Sequence, residues 1–156
     1  MNKKNTFMMR AIELSIKSAN SKGGPFGCVI VKNEKIIAEG SNQVTANNDP
    51  TAHAEIVAIR EGCKKLDNFN LSGCDLYSSC EPCPMCLSAI YWSHIDNIFY
   101  ANTRLDAKNI DFDDSFIYSE INKNIEDRKI QMIQMHRDEA LKAFKIWDEK
   151  VDKIKY

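Results

Sequence analysis

The N-terminal part of the chain carries apolar residues at the spacing of an amphipathic helix. Met9, Ile12, Ile16 and Ala19 recur at intervals of three or four positions, so they share one face of a helix. The pattern ends before Gly23-Gly24, a pair that interrupts helices. We therefore predict a first helix that ends ahead of this glycine pair.

Short apolar runs separated by polar turns predict alternating strands and helices in the rest of the chain. The expected strands cover 27–31, 36–40, 75–78, 97–101 and 129–135, the first two as a hairpin. The expected helices cover 51–65, 82–93, 115–122 and 138–153. Asp49 before Pro50 predicts the start of the helix over 51–65, because Asp is a good N-cap and Pro suits the first helical position. Such alternation is typical of a layered α/β domain.

Length, composition and charge fit one intracellular globular domain. A chain of 156 residues suits a single core, so we expect one domain over 1–156. No apolar run approaches the ~18–20 residues of a membrane span, and the N-terminus lacks the pattern of a signal peptide, so a cytoplasmic location without a membrane partner is expected. The net charge is −1, with 21 basic and 22 acidic residues, and gives no field that would attract nucleic acid.

The cysteines are unevenly distributed along the chain. Three of the six, Cys80, Cys83 and Cys86, fall within seven residues. A chain of this size and apolar content does not need disulfides to fold. Clustering of this kind therefore indicates a metal site.

A His-Ala-Glu triplet and a later Pro-Cys-x-x-Cys motif together predict a catalytic zinc site. Cys83 and Cys86 are three positions apart near the start of a predicted helix, where they share a face and the helix N-terminus favours thiolates. His53 adds a neutral nitrogen ligand. Three protein ligands leave the fourth tetrahedral position of Zn²⁺ for water. Glu55 is then the candidate that moves protons between water and substrate.

Two features of these motifs leave alternatives open. On a regular helix, with about 100° per residue, His53 and Glu55 point in different directions, so both reach one metal only from the first turn. Cys80 offers a fourth thiol that would close a structural zinc site, although an extended start to the helix would turn it away from the other two. An iron–sulfur cluster is excluded, because the position of its fourth cysteine holds Ile90.

His-x-Glu upstream of Pro-Cys-x-x-Cys is the pattern of zinc-dependent nucleobase deaminases. Four segments, 23–27, 48–55, 79–86 and 112–118, resemble the bacterial guanine deaminases of the cytidine deaminase superfamily. The zinc motifs also occur in tRNA adenosine deaminases and cytosine deaminases, whereas the Phe-Asp-Asp-Ser-Phe-Ile-Tyr sequence of 112–118 favours guanine. The similarity runs from about Arg10 to Glu120 and includes the terminal Tyr156.

The resemblance implies a fold, a reaction and an assembly. The fold is a three-layer α/β/α domain with a central mixed sheet. The reaction is the Zn²⁺-dependent hydrolysis of a small purine base, guanine, to xanthine and ammonia. The assembly is a homodimer that exchanges its C-terminal segment, about 120–156, so that the partner's Tyr156 covers the pocket.

Further residues are candidates for binding the base. Asp114 would accept hydrogen bonds from N–H donors that guanine has and adenine lacks, although it or Asp113 also suits a helix cap. Asn42 can donate and accept at a ring edge, but Asn after a strand also serves turns. Phe26 offers an aromatic face and Trp92 a pocket wall, and each is otherwise a core residue.

Two other functions remain as alternatives. A tRNA adenosine deaminase would need a basic surface and a pocket for a flipped base. The C-terminal lysines alternate with acidic residues and 111–114 is acidic, which indicates a mixed solvated face instead. A non-catalytic, zinc-stabilised binding module would need zinc to fold and would not need Glu55.

Overall fold

The computed structural model of the protein describes residues 3–156. Two compact units make up this part of the chain, one ending at Asp114 and one covering Ser115–Tyr156. Within residues 3–156, no helix is long and apolar enough to cross a membrane.

The first unit is built on a four-stranded mixed sheet. Its strands are β1 (Gly27–Lys32), β2 (Lys35–Ser41), β3 (Cys74–Cys80) and β4 (Asn97–Asn102). They lie in the order β2-β1-β3-β4, with β1 antiparallel to both neighbours and β3 parallel to β4. The predicted hairpin is confirmed: Asn33 and Glu34, with φ of 48° and 58°, form the tight turn between β1 and β2.

Helices cover both faces of this sheet. In chain order they are α1 (Lys3–Ala19), α2 (Val44–Asn47), α3 (Ala54–Leu66) and α4 (Pro84–Trp92), and α5 (Arg104–Lys108) follows β4. On one face, α1 packs through Ala11 against Val29, Val31 and Tyr77. On the other face, α3 and α4 pack against β1 and β3 through Ala54, Ala58, Ile90, Cys28, Ile30 and Leu76. The three-layer α/β/α architecture with a central mixed sheet is therefore confirmed.

Strand β2 and helix α3 approach each other closely at Gly40. A Cβ atom at Gly40 would lie 2.1 Å from the carbonyl oxygen of Ala54 and 2.7 Å from the amide nitrogen of Ala58. Both are backbone atoms that cannot move aside, so only glycine allows this contact. The close approach seats the first turn of α3 on the sheet.

The helices near the predicted metal site start later than expected. Asp49 is not an N-cap, and that prediction is wrong: its carboxylate accepts hydrogen bonds from the backbone N–H and the hydroxyl of Thr51, at 2.8 and 2.7 Å. These bonds stabilise a local turn, and α3 begins only at Ala54. Similarly, α4 begins at Pro84 and not at Pro82.

The second unit contains helices but no strand among its residues, 115–156. It consists of α6 (Ser115–Ile121), a 3₁₀ turn (Ile125–Asp127) and α7 (Arg137–Glu149). The predicted strand over 129–135 is wrong, because a strand needs a hydrogen-bonded neighbour and none is present in this unit. Helix α7 also ends at Glu149, short of the predicted 153.

Apolar side chains of the second unit are exposed. None of the residues 115–156 is buried, although the segment carries many large apolar residues. Those that are at least half exposed include Phe116, Ile130, Ile133, Met135, Phe144, Ile146 and Val151. A monomer in water does not usually present so much apolar surface in one short segment.

Candidate zinc centre and base pocket

His53, Cys83 and Cys86 meet where α3 and α4 begin. His53 and Cys83 are the N-cap residues of the two helices, with extended backbones at ψ of 157° and 168°. Their carbonyl oxygens accept the first helical hydrogen bonds, from Val57 and Leu87. Because His53 precedes the regular helix, its side chain and that of Glu55 reach the same region, which resolves the angular conflict noted in the sequence.

The three ligand atoms have the spacing of a tetrahedral zinc site. Nδ1 of His53 lies 3.5 Å from Sγ of Cys83 and 3.5 Å from Sγ of Cys86. Tetrahedral bonds of about 2.3 Å to sulfur and 2.0–2.1 Å to nitrogen would separate such atoms by about 3.6 Å. Two thiols and an imidazole in this arrangement are a donor set that fits Zn²⁺.

Electrostatics at the cluster favour a cation. A hydrogen bond from Cys86 holds the pKa of the Cys83 thiol below its usual range, while that bond and burial raise the pKa of Cys86. The hydrogen bond with Cys83 likewise raises the pKa of His53. Negative charge on Cys83 lies at the N-terminus of α4, where the helix dipole stabilises it.

Glu55 lies directly beside the ligands in the first turn of α3. Its side chain is buried, and burial raises the pKa of the carboxyl group. Oε1 accepts a hydrogen bond from the hydroxyl of Ser78 at 2.8 Å, and Oε2 lies 3.4 Å from Sγ of Cys86. The carboxylate is thus placed where a proton-transfer group would be needed.

Cys80 points away from the cluster. Its thiol is buried and donates to the carbonyl oxygen of Thr103, with the two atoms 3.6 Å apart. Burial raises the pKa of Cys80 to about 11, so the group stays a thiol at neutral pH. Among residues 3–156, the metal-binding cluster consists of His53, Cys83 and Cys86 without Cys80. Three protein ligands would leave the fourth tetrahedral position of a bound Zn²⁺ for water.

Asn42 is fixed by the backbone around it. The residue is buried, and its Oδ1 accepts hydrogen bonds from the N–H groups of Gly24 at 3.2 Å and Val44 at 3.3 Å. These contacts set the orientation of the amide and leave its Nδ2 donor without a hydrogen bond to any residue from 3 to 156. The donor is therefore available to a ligand.

Two aromatic rings lie next to Asn42. Phe26 and Phe112 meet edge to face, with ring centroids 5.0 Å apart and planes at 89°. A Cβ atom at Gly24 would lie 3.4 Å from both Asn42 and Phe26 and 3.5 Å from Phe112, so these four residues line one small region. Phe112 is an addition to the base-binding candidates from the sequence, and the signal for it is an aromatic residue directly before two aspartates in the 112–118 segment.

The two aspartates after Phe112 have different surroundings. Asp113 forms an ion pair with Lys108, with Oδ2 and Nζ 3.0 Å apart. Asp114 is half-buried, and burial, together with the negative charge of Cys83, raises the pKa of its carboxyl group. Asp114 is therefore within electrostatic reach of the cysteine cluster.

The last two candidates for base binding are exposed. Trp92 ends α4 and is 65% exposed, so it is not a core residue. Tyr156 ends the second unit and is 73% exposed. Both side chains therefore lie largely at the surface.

Residues 1–102 match the protein family described as the cytidine and deoxycytidylate deaminase zinc-binding region. This match contains all three cluster residues and Glu55. The chain belongs to this deaminase family. The deaminase shares 52% identity over 97% of its length with guanine deaminase from Bacillus subtilis, of which 97% is covered. The X-ray structure of that guanine deaminase superposes with a TM-score of 0.95, covering 100% of this deaminase and 99% of its own chain.

Other relatives match a smaller part of the deaminase. Guanine deaminase from Nitrosomonas europaea is 33% identical, with a TM-score of 0.66 over 69% of this chain and 63% of its own. The tRNA-specific adenosine deaminase of Aquifex aeolicus is 44% identical over 93 residues, which are 59% of this chain and 60% of that enzyme. The similarity to B. subtilis guanine deaminase thus extends through the C-terminal unit.

Proposed function

We propose that this deaminase hydrolyses guanine to xanthine and ammonia. The observation that carries the proposal is the 52% identity to a guanine deaminase over 97% of both chains. That similarity includes the 112–118 segment beyond the zinc-binding region, where Phe112 contacts Phe26 and Asp114 is within electrostatic reach of Cys83. The A. aeolicus tRNA deaminase matches over 93 residues only.

His53, Cys83 and Cys86 are the residues that would hold zinc. The spacing of their ligand atoms and their place at two helix N-termini support this assignment. When bound, zinc supplies a Lewis acid that makes water a better nucleophile at neutral pH.

Glu55 moves the protons of the reaction. It takes a proton from the attacking water, passes it to the ring nitrogen beside the carbon that bears the amine, and delivers the second proton to the departing amine. A carbon–oxygen bond forms, the carbon–nitrogen bond breaks, and ammonia leaves. The buried carboxylate 3.4 Å from Cys86 is placed for this role.

Asp114, Asn42 and Phe26 bind the base. Asp114 accepts hydrogen bonds from the N–H donors at the ring edge of guanine, a role supported by its half-buried position, whereas Asp113 is paired with Lys108. Asn42 donates through Nδ2 to a ring acceptor, and Phe26 packs against the face of the base. Trp92 forms a wall of the same pocket.

The functional form is a homodimer in which the C-terminal segment, about 120–156, is exchanged. The exposed apolar residues of the second unit support this, because they are suited to be covered by a second copy of the chain. The segment 129–135, which lacks a strand partner in this unit, fits the same arrangement. Tyr156 of each subunit then covers the pocket of the other.

A cytoplasmic location is part of the proposal. All six cysteines are free thiols, including the ligand thiols, and a reducing compartment preserves them.

The test is ammonia release by the purified, zinc-loaded protein with guanine, adenine, cytosine and a tRNA anticodon stem-loop in parallel. We expect release from guanine and not from the others. Release only from the stem-loop would assign the protein to tRNA editing. Release from none would indicate a zinc-stabilised binding module and contradict the proposal.

A further inference from the structure

Ser78, a serine of the sheet, donates a hydrogen bond to the carboxylate of Glu55. Ser78 lies on β3, on the face covered by α3, and is 1% exposed. Its hydroxyl donates a hydrogen bond to Oε1 of Glu55 at 2.8 Å, and its Oγ accepts a hydrogen bond from the backbone N–H of Cys80 at 3.5 Å. A hydroxyl has a single proton, and here that proton goes to the carboxylate.

The two oxygens of Glu55 have different surroundings. Oε1 faces the sheet and Ser78, whereas Oε2 faces Cys86 and the ligand cluster. The terminal torsion of a glutamate side chain is broad and does not by itself fix the plane of the carboxylate. A buried hydrogen bond to one oxygen fixes that plane and aims the other oxygen.

The neighbour of Ser78 on strand β1 offers no hydroxyl group to Glu55. Cys28, which lies opposite Ser78 in the antiparallel pairing of β1 with β3, is fully buried. The other hydrogen bonds of the carboxylate come from the backbone N–H of Glu55 itself and from Cys86. A thiolate that binds zinc has no proton to donate, so the bond from Ser78 becomes more important when the metal is bound.

We propose that Ser78 is a positioning residue for Glu55: its hydroxyl holds Oε1 so that Oε2 faces the reacting centre. This inference rests on the proposed role of Glu55 in guanine deamination. It adds to that role a requirement for a hydroxyl group on β3, at a position outside the His-x-Glu and Pro-Cys-x-x-Cys motifs.

The first experiment compares Ser78→Ala and Ser78→Thr with the wild-type enzyme. Misdirecting a proton-transfer group typically costs about 10- to 100-fold, so Ser78→Ala should lower kcat by that factor and leave KM within about threefold. Ser78→Thr keeps the hydroxyl and should restore kcat to within about fivefold. Zinc content should equal that of wild type in both variants.

Ser93→Ala is the matched control. Ser93 is also buried and donates one hydroxyl hydrogen bond, to the carbonyl oxygen of Ile90 at 2.9 Å, but it caps the end of α4 opposite to the zinc ligands. Its loss should leave kcat unchanged. If Ser78→Ala does not fold, Ser78→Cys keeps the shape of the side chain with a slightly larger atom and a weaker donor, and it should lower kcat. A wild-type kcat in that variant would overturn the proposal.

A second experiment separates positioning from a structural role. In a Glu55→Gln background, Ser78→Ala should cause no further loss of rate, because its effect passes through the carboxylate. The dissociation constant for guanine, measured by calorimetry with Glu55→Gln and with the double variant, should agree within about threefold. An equal loss of rate in both backgrounds, or a large increase in the dissociation constant, would overturn the proposal.

The two proposals fail in different ways. A wild-type enzyme that releases ammonia from guanine, combined with a Ser78→Ala enzyme of the same kcat, would contradict only the role of Ser78. A wild-type enzyme inactive on guanine would contradict the proposed function, and the Ser78 comparison would then be made with the base that it does deaminate.

Discussion

Asp113 and Asp114 are adjacent, yet only Asp114 is half-buried near the cysteine cluster. If Asp114 accepts the N–H donors of guanine, Asp114→Asn removes a charge-assisted hydrogen bond. We expect kcat/KM for guanine to fall by about 10- to 100-fold, since hydrogen bonds to charged groups contribute roughly 1.5–3 kcal/mol. Steady-state kinetics with guanine measures this directly.

The neighbouring residue provides the control for that variant. Asp113→Asn breaks an exposed ion pair with Lys108, which contributes about 0–1 kcal/mol to stability, and should leave kcat/KM nearly unchanged. A greater loss in Asp113→Asn than in Asp114→Asn would show that the two roles are assigned to the wrong residues.

Cys80 and Cys86 are expected to differ in their contribution to zinc binding. Cys80 donates to the carbonyl oxygen of Thr103, so Cys80→Ala should retain wild-type zinc content and lose only packing stability, about 1–2 kcal/mol. Cys86→Ala removes a ligand and should lose most of the zinc. Metal analysis of the purified variants measures both, and loss of zinc from Cys80→Ala would indicate a four-ligand site.

At the scale of helices and strands, the start of α3 explains how the site forms. The motif identified His53 and Glu55 in the sequence, but a helix from Thr51 would have turned them apart. Sequence rules favoured Asp49 as the cap, whereas its side chain bonds to Thr51 in a local turn. An Asp at this position can cap the helix or stabilise a turn before it. The outcome depends on how the following helix packs, and the sequence pattern does not show that packing.

The sheet could be predicted from the sequence because its strands contain short apolar runs separated by polar turns, and its hairpin has a short polar turn. The segment 129–135 carries a similar pattern without becoming a strand in its own unit. The pattern of apolar residues shows only that a segment is able to form a strand, and the strand forms only if a neighbouring strand is there to bond with it. Contacts that come from a second chain cannot be inferred from periodicity.

Helix α1 is tied to β2 by a bidentate ion pair whose contribution depends on pH. Nε and one terminal nitrogen of Arg10 each lie 2.8 Å from an oxygen of Glu39. These hydrogen bonds hold the pKa of Glu39 below its usual range. A lowered folded-state pKa stabilises the protein above the unfolded-state pKa, and this stability is lost as the pH falls through the folded-state value.

We therefore expect Glu39→Gln to lower the free energy of unfolding by roughly 0.5–1 kcal/mol at pH 7, a modest amount because both side chains are more than a third exposed. The difference from wild type should shrink as the pH falls below about 4. Urea unfolding at both pH values tests this. Glu34→Gln, at a more exposed pair with Lys3, should have a smaller effect. A pH-independent difference for Glu39→Gln would contradict the assignment.

For the whole molecule, the exposed apolar surface of residues 115–156 fits the proposed exchange of the C-terminal segment between two copies of the chain. If the partner's Tyr156 covers each pocket, deletion of residues 153–156 should lower kcat/KM by at least about tenfold and leave zinc bound. Full activity of the truncated protein would contradict this role of the C-terminus.

Exchange between subunits has a specific signature in mixed dimers. Co-expression of Glu55→Gln with Tyr156→Ala chains would form dimers in which one pocket combines an intact Glu55 with the partner's intact Tyr156. We expect activity well above that of either variant alone. Activity that stays at the level of the two variants would indicate that Tyr156 acts within its own subunit.

The most direct test of the account is the rate of ammonia release from guanine by zinc-loaded wild type and Glu55→Gln, measured side by side. We expect turnover by the wild type, and a folded variant with the same zinc content whose rate is lower by about 10²–10⁴-fold, the usual contribution of a general acid–base group. A variant that turns guanine over at the wild-type rate would contradict the role of Glu55 on which the mechanism depends.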